Sequence, residues 1–206
     1  MIKIFDSLLE REKNKQKSDR TFLIVVLSIA LFVLLMLSLF TFVFFNVWVE
    51  GDSMKNTLHD QDILVACYVK EPQKGDIVII NGMVKENGKS IDIIKRVIAT
   101  EGDIVKIENL AVYVSSNGEG FVKLDEPYAK GVTIAYGEKQ EWTVGKGEYF
   151  FLGDNRENSY DSRMLGVCKR EQIVGVVLES SLALRGVSKG FYDLVFGIGR
   201  IFGVTA

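Results

Sequence analysis

Residues 22–49 carry no charged side chain and no proline. As a helix these 28 residues would extend about 42 Å, more than the roughly 30 Å hydrocarbon core of a bilayer. The pattern predicts one transmembrane anchor over 21–49, with Trp48 near its exit as an interfacial aromatic. A cleaved signal peptide would have an apolar core of about 7–15 residues, much shorter than this run. Residues 1–20 are polar, with Lys3, Arg11, Lys13, Lys15, Lys17 and Arg20 set against Asp6, Glu10, Glu12 and Asp19. The basic flank is N-terminal and the other flank carries Glu50 and Asp52. The positive-inside rule therefore predicts a single-pass protein with residues 1–20 cytoplasmic and the rest outside the cell membrane.

After the anchor the periodicity changes. Short apolar runs rich in β-branched residues alternate with turns. Ile63–Val69, Asp76–Ile80, Ile91–Ala99, Ile104–Ile107, Ala111–Val114, Glu148–Leu152 and Gln172–Leu178 read as strands, punctuated by Gly75-Asp76, Gly102-Asp103 and Gly153-Asp154. Closely spaced strands without intervening helices predict an all-β, antiparallel catalytic core over 50–185. A more polar, turn-rich stretch at about 106–146, with the hairpin signal Asn117-Gly118, predicts a smaller inserted β subdomain. In the tail, 186–206, Phe191, Leu194, Val195, Ile198, Ile201 and Phe202 fall at helical spacing. Gly190, Gly197, Gly199 and Gly203 weaken that helix, so the tail reads equally as an amphipathic element on the lipid surface or as one packed on the domain.

Composition narrows the chemistry. The net charge of -2 gives no electrostatic footprint for nucleic acid. The two cysteines, Cys67 and Cys168, are too few for a disulfide framework; one extracellular bridge and two separate core thiols are both open. His59 is the only histidine and has no Cys or His at ligand spacing, so no metal site and no cofactor are expected.

Two stretches carry candidate chemistry. Ser53 lies in the turn Gly51-Asp52-Ser53-Met54-Lys55-Asn56-Thr57-Leu58, and Lys95 lies inside the apolar strand Ile93-Ile94-Lys95-Arg96-Val97-Ile98. A hydroxyl nucleophile needs a base that is neutral at working pH. A buried lysine meets that need, because desolvation disfavours its charged form. Ser53 and Lys95 are thus candidates for a Ser–Lys dyad. The eleven residues Gly153 to Arg163 are dense in hydrogen-bonding side chains and follow an apolar strand, which suits a polar scaffold for the dyad. His59, six residues after Ser53 in a turn-like run, reads as a surface residue rather than the base.

In this order, an anchor, GDSMKNTL, KGDIVII, IIKRVIATEGD and GDNRENSYDSR, with Asp125-Glu126-Pro127-Tyr128 in the inserted region, the chain resembles the bacterial type I signal peptidases of the single-anchor, Gram-positive kind. The resemblance runs from the anchor to about Leu178. It implies a membrane-bound serine endopeptidase that removes signal peptides from exported preproteins, with membrane lipid as its other partner. It implies Ser53 as nucleophile and Lys95 as general base, Ser159 as the hydroxyl that positions the lysine, Asp161 and Arg163 as a structural ion pair, and Asp154 in the same network. Met54 and Ile94, helped by Val47 and Val49, would line pockets for the small side chains of an Ala-x-Ala cleavage pattern. Two positions depart from the family's pattern. Its usual proline is here Asn56, and Gly51 stands where some members carry a second serine that donates to the oxyanion. A non-catalytic relative that assembles surface structures would keep the fold but need not keep the dyad. A self-cleaving regulator sharing this chemistry would need a DNA-binding domain where this chain has an anchor.

Overall fold

A computed structural model of the chain describes residues 2–182. The expected amphipathic tail at 186–206 lies outside them. The chain divides into two compact units, Met1–Val43 and Phe44–Ala206.

The first unit is one helix, α1 (Ile2–Val43). Over Lys15–Phe40 it is long and apolar enough to cross a membrane by length and composition. The Leu, Glu, Arg, Lys and Gln residues that precede the apolar run are good helix formers, and the helix extends back through them. At its other end the expected anchor is too long. The helix stops at Val43, and Phe44–Trp48 form a strand, β1. Five aromatic, β-branched and polar residues suit an extended chain, and strand pairing with Ile63–Cys67 (β2) settles the matter, with Phe44 opposite Cys67 and Trp48 opposite Ile63.

Over its described residues the second unit is all-β apart from short turns of helix. Further strands are β3 (Ile77–Glu86), β4 (Lys89–Ala99), β5 (Asp103–Glu108), β6 (Ala111–Ser116), β7 (Val122–Lys123), β8 (Glu141–Thr143), β9 (Glu148–Leu152), β10 (Cys168–Lys169) and β11 (Ile173–Val177). Seven form one antiparallel sheet in the order β1-β2-β11-β3-β4-β9-β10, and four form a second in the order β7-β6-β5-β8. One short helix, α2 (Ser162–Leu165), follows β9.

β3 and β4 run longer than their apolar cores. Their polar ends are zipped by a two-residue turn at Asn87-Gly88, with φ of 50° and 78° and Glu86 opposite Lys89. Positive φ at both central residues matches the right-handed twist of a hairpin, which is why Asn-Gly suits it. The β5–β6 hairpin turns the same way at Asn109-Leu110.

The second sheet begins at Asp103, earlier than the expected 106, and its last strand ends at Thr143. Its apolar face is continuous with the main sheet: Val105, Ile107, Val112 and Trp142 pack in one cluster with Ile98, Ala99, Phe150 and Leu152. A second cluster joins Val49, Met54 and Leu58 to Leu64, Ile77, Ile79 and Val177. The segment after β1 therefore lies across a face of the main sheet and carries Ser53 with it.

Candidate active site

The loop from Val49 to Asp62 is closed at its base by Val49 N–H donating to Asp62 O (2.9 Å) and Gln61 N–H to Val49 O (2.8 Å). Inside it, Lys55 N–H donates to Asp52 O (3.0 Å) and Leu58 N–H to Met54 O (2.9 Å), a single helical turn. Met54 and Leu58, four residues apart, share one side of such a turn and are both buried. Their anchoring leaves Ser53 half-buried at the edge of the turn. Asn56 has φ +113°, which a proline ring cannot reach, and its Nδ2 donates to Tyr128 O (3.0 Å). The side-chain amide thus ties down a turn that would otherwise rely on ring rigidity.

Lys95 is 4% exposed, opposite Val78 in the β3–β4 ladder. Its Nζ lies 2.7 Å from Ser53 Oγ and donates to Ile94 O at 2.8 Å. Burial pulls the amine down from its usual 10.5 to about 8, against the carboxylates of Asp161 and Asp154, which favour the charged form.

The loop Gly153–Arg163 holds the turn from behind. Asp154 takes a bidentate pair from Arg96, Nε to Oδ1 at 2.9 Å and Nη2 to Oδ2 at 2.6 Å, and accepts from Thr57 Oγ1. The Arg96 guanidinium lies 4.0 Å above the Tyr128 ring. Asp161 accepts Gly153 N–H (3.0 Å) and pairs with Arg163 through Nε (2.8 Å) and Nη2 (2.9 Å). Arg156, fully enclosed, pairs with Glu126 and donates to Thr133 Oγ1 (2.7 Å) and Gly153 O (3.0 Å). Gly153 itself is where two segments meet: a Cβ there would stand 2.1 Å from Ser159 Oγ and 2.6 Å from Ser53 O. No larger residue fits that approach.

One expected contact is different. Ser159 Oγ is buried without a hydrogen-bond partner and does not bond Lys95, whose amine is turned to Ser53 Oγ and to the carbonyl of Ile94. Met54, Ile94, Val49 and Val47 all line a cleft of about 580 Å³ that reaches Ser53 and Lys95. His59 is exposed and faces Asp62, 3.9 Å away. Cys67 and Cys168 are both buried and unbridged. Among the described residues no three metal-ligating side chains converge.

Sequence reasoning missed Arg96, Arg156, Glu126, Thr57 and Asn155 as parts of the site. A signal was present for the first. A second cation directly after Lys95, in a strand too apolar to sit at the surface, calls for a carboxylate partner.

Over residues 22–180 the chain matches the protein family described as signal peptidase, peptidase S26. The chain belongs to that family. It is similar to "Signal peptidase I T" of Bacillus subtilis, with 39% identity over 178 residues, 80% of this chain and 87% of the relative. It is similar also to "Signal peptidase I" of Bacillus licheniformis, with 35% identity over 181 residues, 81% and 91% of the two chains. A crystal structure of a signal peptidase I from Enterococcus faecalis matches with TM-score 0.41 and 30% identity, over 53% of this chain and 99% of that one. As a signal peptidase family member the protein is a serine peptidase. Its apolar N-terminal helix makes it a membrane-anchored member.

Proposed function

We propose that this protein is a membrane-bound serine endopeptidase that cleaves signal peptides from exported preproteins, with Ser53 as nucleophile and Lys95 as general base. The observation that carries the reading is the 2.7 Å contact between Ser53 Oγ and a buried lysine amine held near pKa 8. In its neutral form the amine takes the hydroxyl proton as Oγ attacks the scissile carbonyl. The oxyanion of the tetrahedral intermediate is met by the Ser53 N–H. The lysine then returns the proton to the departing amine of the mature protein. In the second half it takes a proton from the water that attacks the acyl-enzyme carbonyl, and gives that proton to Ser53 Oγ as the ester bond breaks, which restores both groups.

The cleft supports the substrate class. Its walls at Met54, Ile94, Val49 and Val47, beside Ser53, are apolar, which suits small uncharged side chains there. Asp161, Arg163 and Asp154 serve as scaffold, holding the loop behind the nucleophile. Ser159, within the same loop, serves by filling the space against Gly153 rather than by bonding the lysine. The charge pattern around α1 supports a cytoplasmic N-terminus and a catalytic domain on the outer side.

Preprotein cleavage in detergent by wild type, Ser53→Ala and Lys95→Ala, from about pH 6 to 10, tests the reading. Both variants are expected to be inactive, and the wild-type rate to rise through about pH 8 as Lys95 releases its proton. Activity surviving in Lys95→Ala would remove the dyad. A folded wild type inert on every preprotein would favour a non-catalytic assembly role.

A further inference from the structure

Asn155 is bonded to the nucleophile turn twice. Its backbone N–H donates to Ser53 O (3.0 Å), and its side-chain Nδ2 donates to Asp52 O (3.0 Å). One residue therefore holds two consecutive carbonyls, those on either side of the nucleophile.

Peptide geometry turns this into a statement about the amides. In a trans peptide the C=O and the following N–H point in opposite directions. Holding Asp52 O toward Asn155 turns the Ser53 N–H away from it, and holding Ser53 O there does the same for the Met54 N–H. Lys55 N–H supplies the turn's own bond to Asp52 O. The Asn155 side chain is thus the second donor on that oxygen, and it ties an already formed turn to a rigid support. Two donors on one carbonyl also polarise its peptide group, which strengthens the N–H at the other end as a donor.

The support is fixed. Asn155 is 8% exposed. On either side of it the chain is pinned to the inserted region, by Lys130 N–H to Asp154 O (2.7 Å) and Arg156 N–H to Lys130 O (2.9 Å). Asp154 before it is clamped by Arg96, and Arg156 after it by Glu126.

We infer that Asn155 is the positioning residue that aims and polarises the Ser53 amide for the developing oxyanion. This rests on the Ser53 reading above. Gly51 carries no side-chain hydroxyl for that purpose, so the main-chain donor bears more of the charge, and its orientation matters correspondingly.

The test is Asn155→Ala in the full-length protein. It keeps the backbone bond to Ser53 O and leaves Asp52 O its bond from Lys55, so no buried oxygen is orphaned. Per active site titrated, kcat is expected to fall about 10- to 100-fold, less than loss of a whole oxyanion donor. KM should stay within about 3-fold, and the apparent pKa of kcat/KM should not move, since Lys95 keeps its surroundings. Affinity for a peptide aldehyde ending in alanine, whose adduct presents an oxyanion to the same amide, should fall by the factor that kcat/KM falls. An unchanged kcat, a rise in KM alone, or an unchanged aldehyde affinity beside a reduced kcat would each overturn the inference. Asn155→Ser, which keeps a short donor, is expected to lie between wild type and alanine. Equality of the serine and alanine forms would overturn it too, even if both are less stable than wild type. Ser53→Ala assayed alongside separates the two readings. Its inactivity beside a fully active Asn155→Ala sinks only the role of Asn155, whereas an active Ser53→Ala sinks the nucleophile assignment beneath it.

Discussion

The amine of Lys95 meets surroundings in the folded protein that the unfolded chain does not provide. Its folded pKa of about 8 lies below the usual 10.5, so between those values the unfolded chain holds a proton that the native state has released. Stability therefore rises with pH across that window, and the full penalty, about 3 kcal/mol, applies below it. Lys95→Met removes the penalty along with the bonds to Ser53 Oγ and Ile94 O. It is expected to be more stable than wild type by about 1–3 kcal/mol near pH 7, with the gap closing toward about pH 10.5. Denaturant titrations near pH 7 and near pH 10 measure this, and a gap of equal size at both would show that Lys95 does not titrate in between. The amine is thus made easier to deprotonate at the expense of the fold.

The eleven residues after β9 show how an element can be polar and yet interior. Asp161 and Arg163 are 0% and 4% exposed, and Asp161 also takes Gly153 N–H and Arg163 N–H, capping α2. Asp161→Ala strands a buried guanidinium and is expected to cost about 3–5 kcal/mol, read as a lower denaturation midpoint. An unchanged midpoint would mean the pair is solvated. A loop of this composition is usually on the surface, and only its position directly after Tyr149-Phe150-Phe151-Leu152 hinted otherwise. The main strands were legible because their apolar runs are short, β-branched and bounded by Gly-Asp turns. β1 was not, because an uncharged strand that continues an uncharged helix leaves no break in hydropathy; only its partner β2 decides it. β8 and β10 are too short to carry a period. Of the site, Ser53 and Lys95 could be paired on chemistry alone. The partners of Arg96 and Arg156 could not, because Asp154 and Glu126 come from distant parts of the chain and no local spacing encodes them. The unbonded Ser159 Oγ is of the same kind: a rotamer choice set by packing against Gly153.

At the scale of the molecule, the insertion between β4 and β9 is not a detachable module. Trp142 on β8 is buried against Phe150 on β9, ring centroids 5.2 Å apart, within the cluster that both sheets share. Trp142→Ala is expected to cost about 3–5 kcal/mol. The shared core predicts that the variant and the wild type each unfold the two sheets in one transition, followed by near-ultraviolet circular dichroism and by far-ultraviolet signal together. Separate transitions would make the second sheet an independent domain.

The order of strands has one more consequence, in time rather than space. β11 pairs with both β2 and β3, so the strand synthesised last among the eleven lies between strands made much earlier. The half that leads to Ser53 and the half that bears Lys95 are joined in the main sheet only through it. On the ribosome, a chain that has already emitted Ser53 and Lys95 still lacks the spine that unites them. Nascent and prematurely terminated copies of this peptidase are therefore expected to be proteolytically silent until β11 has joined the two halves.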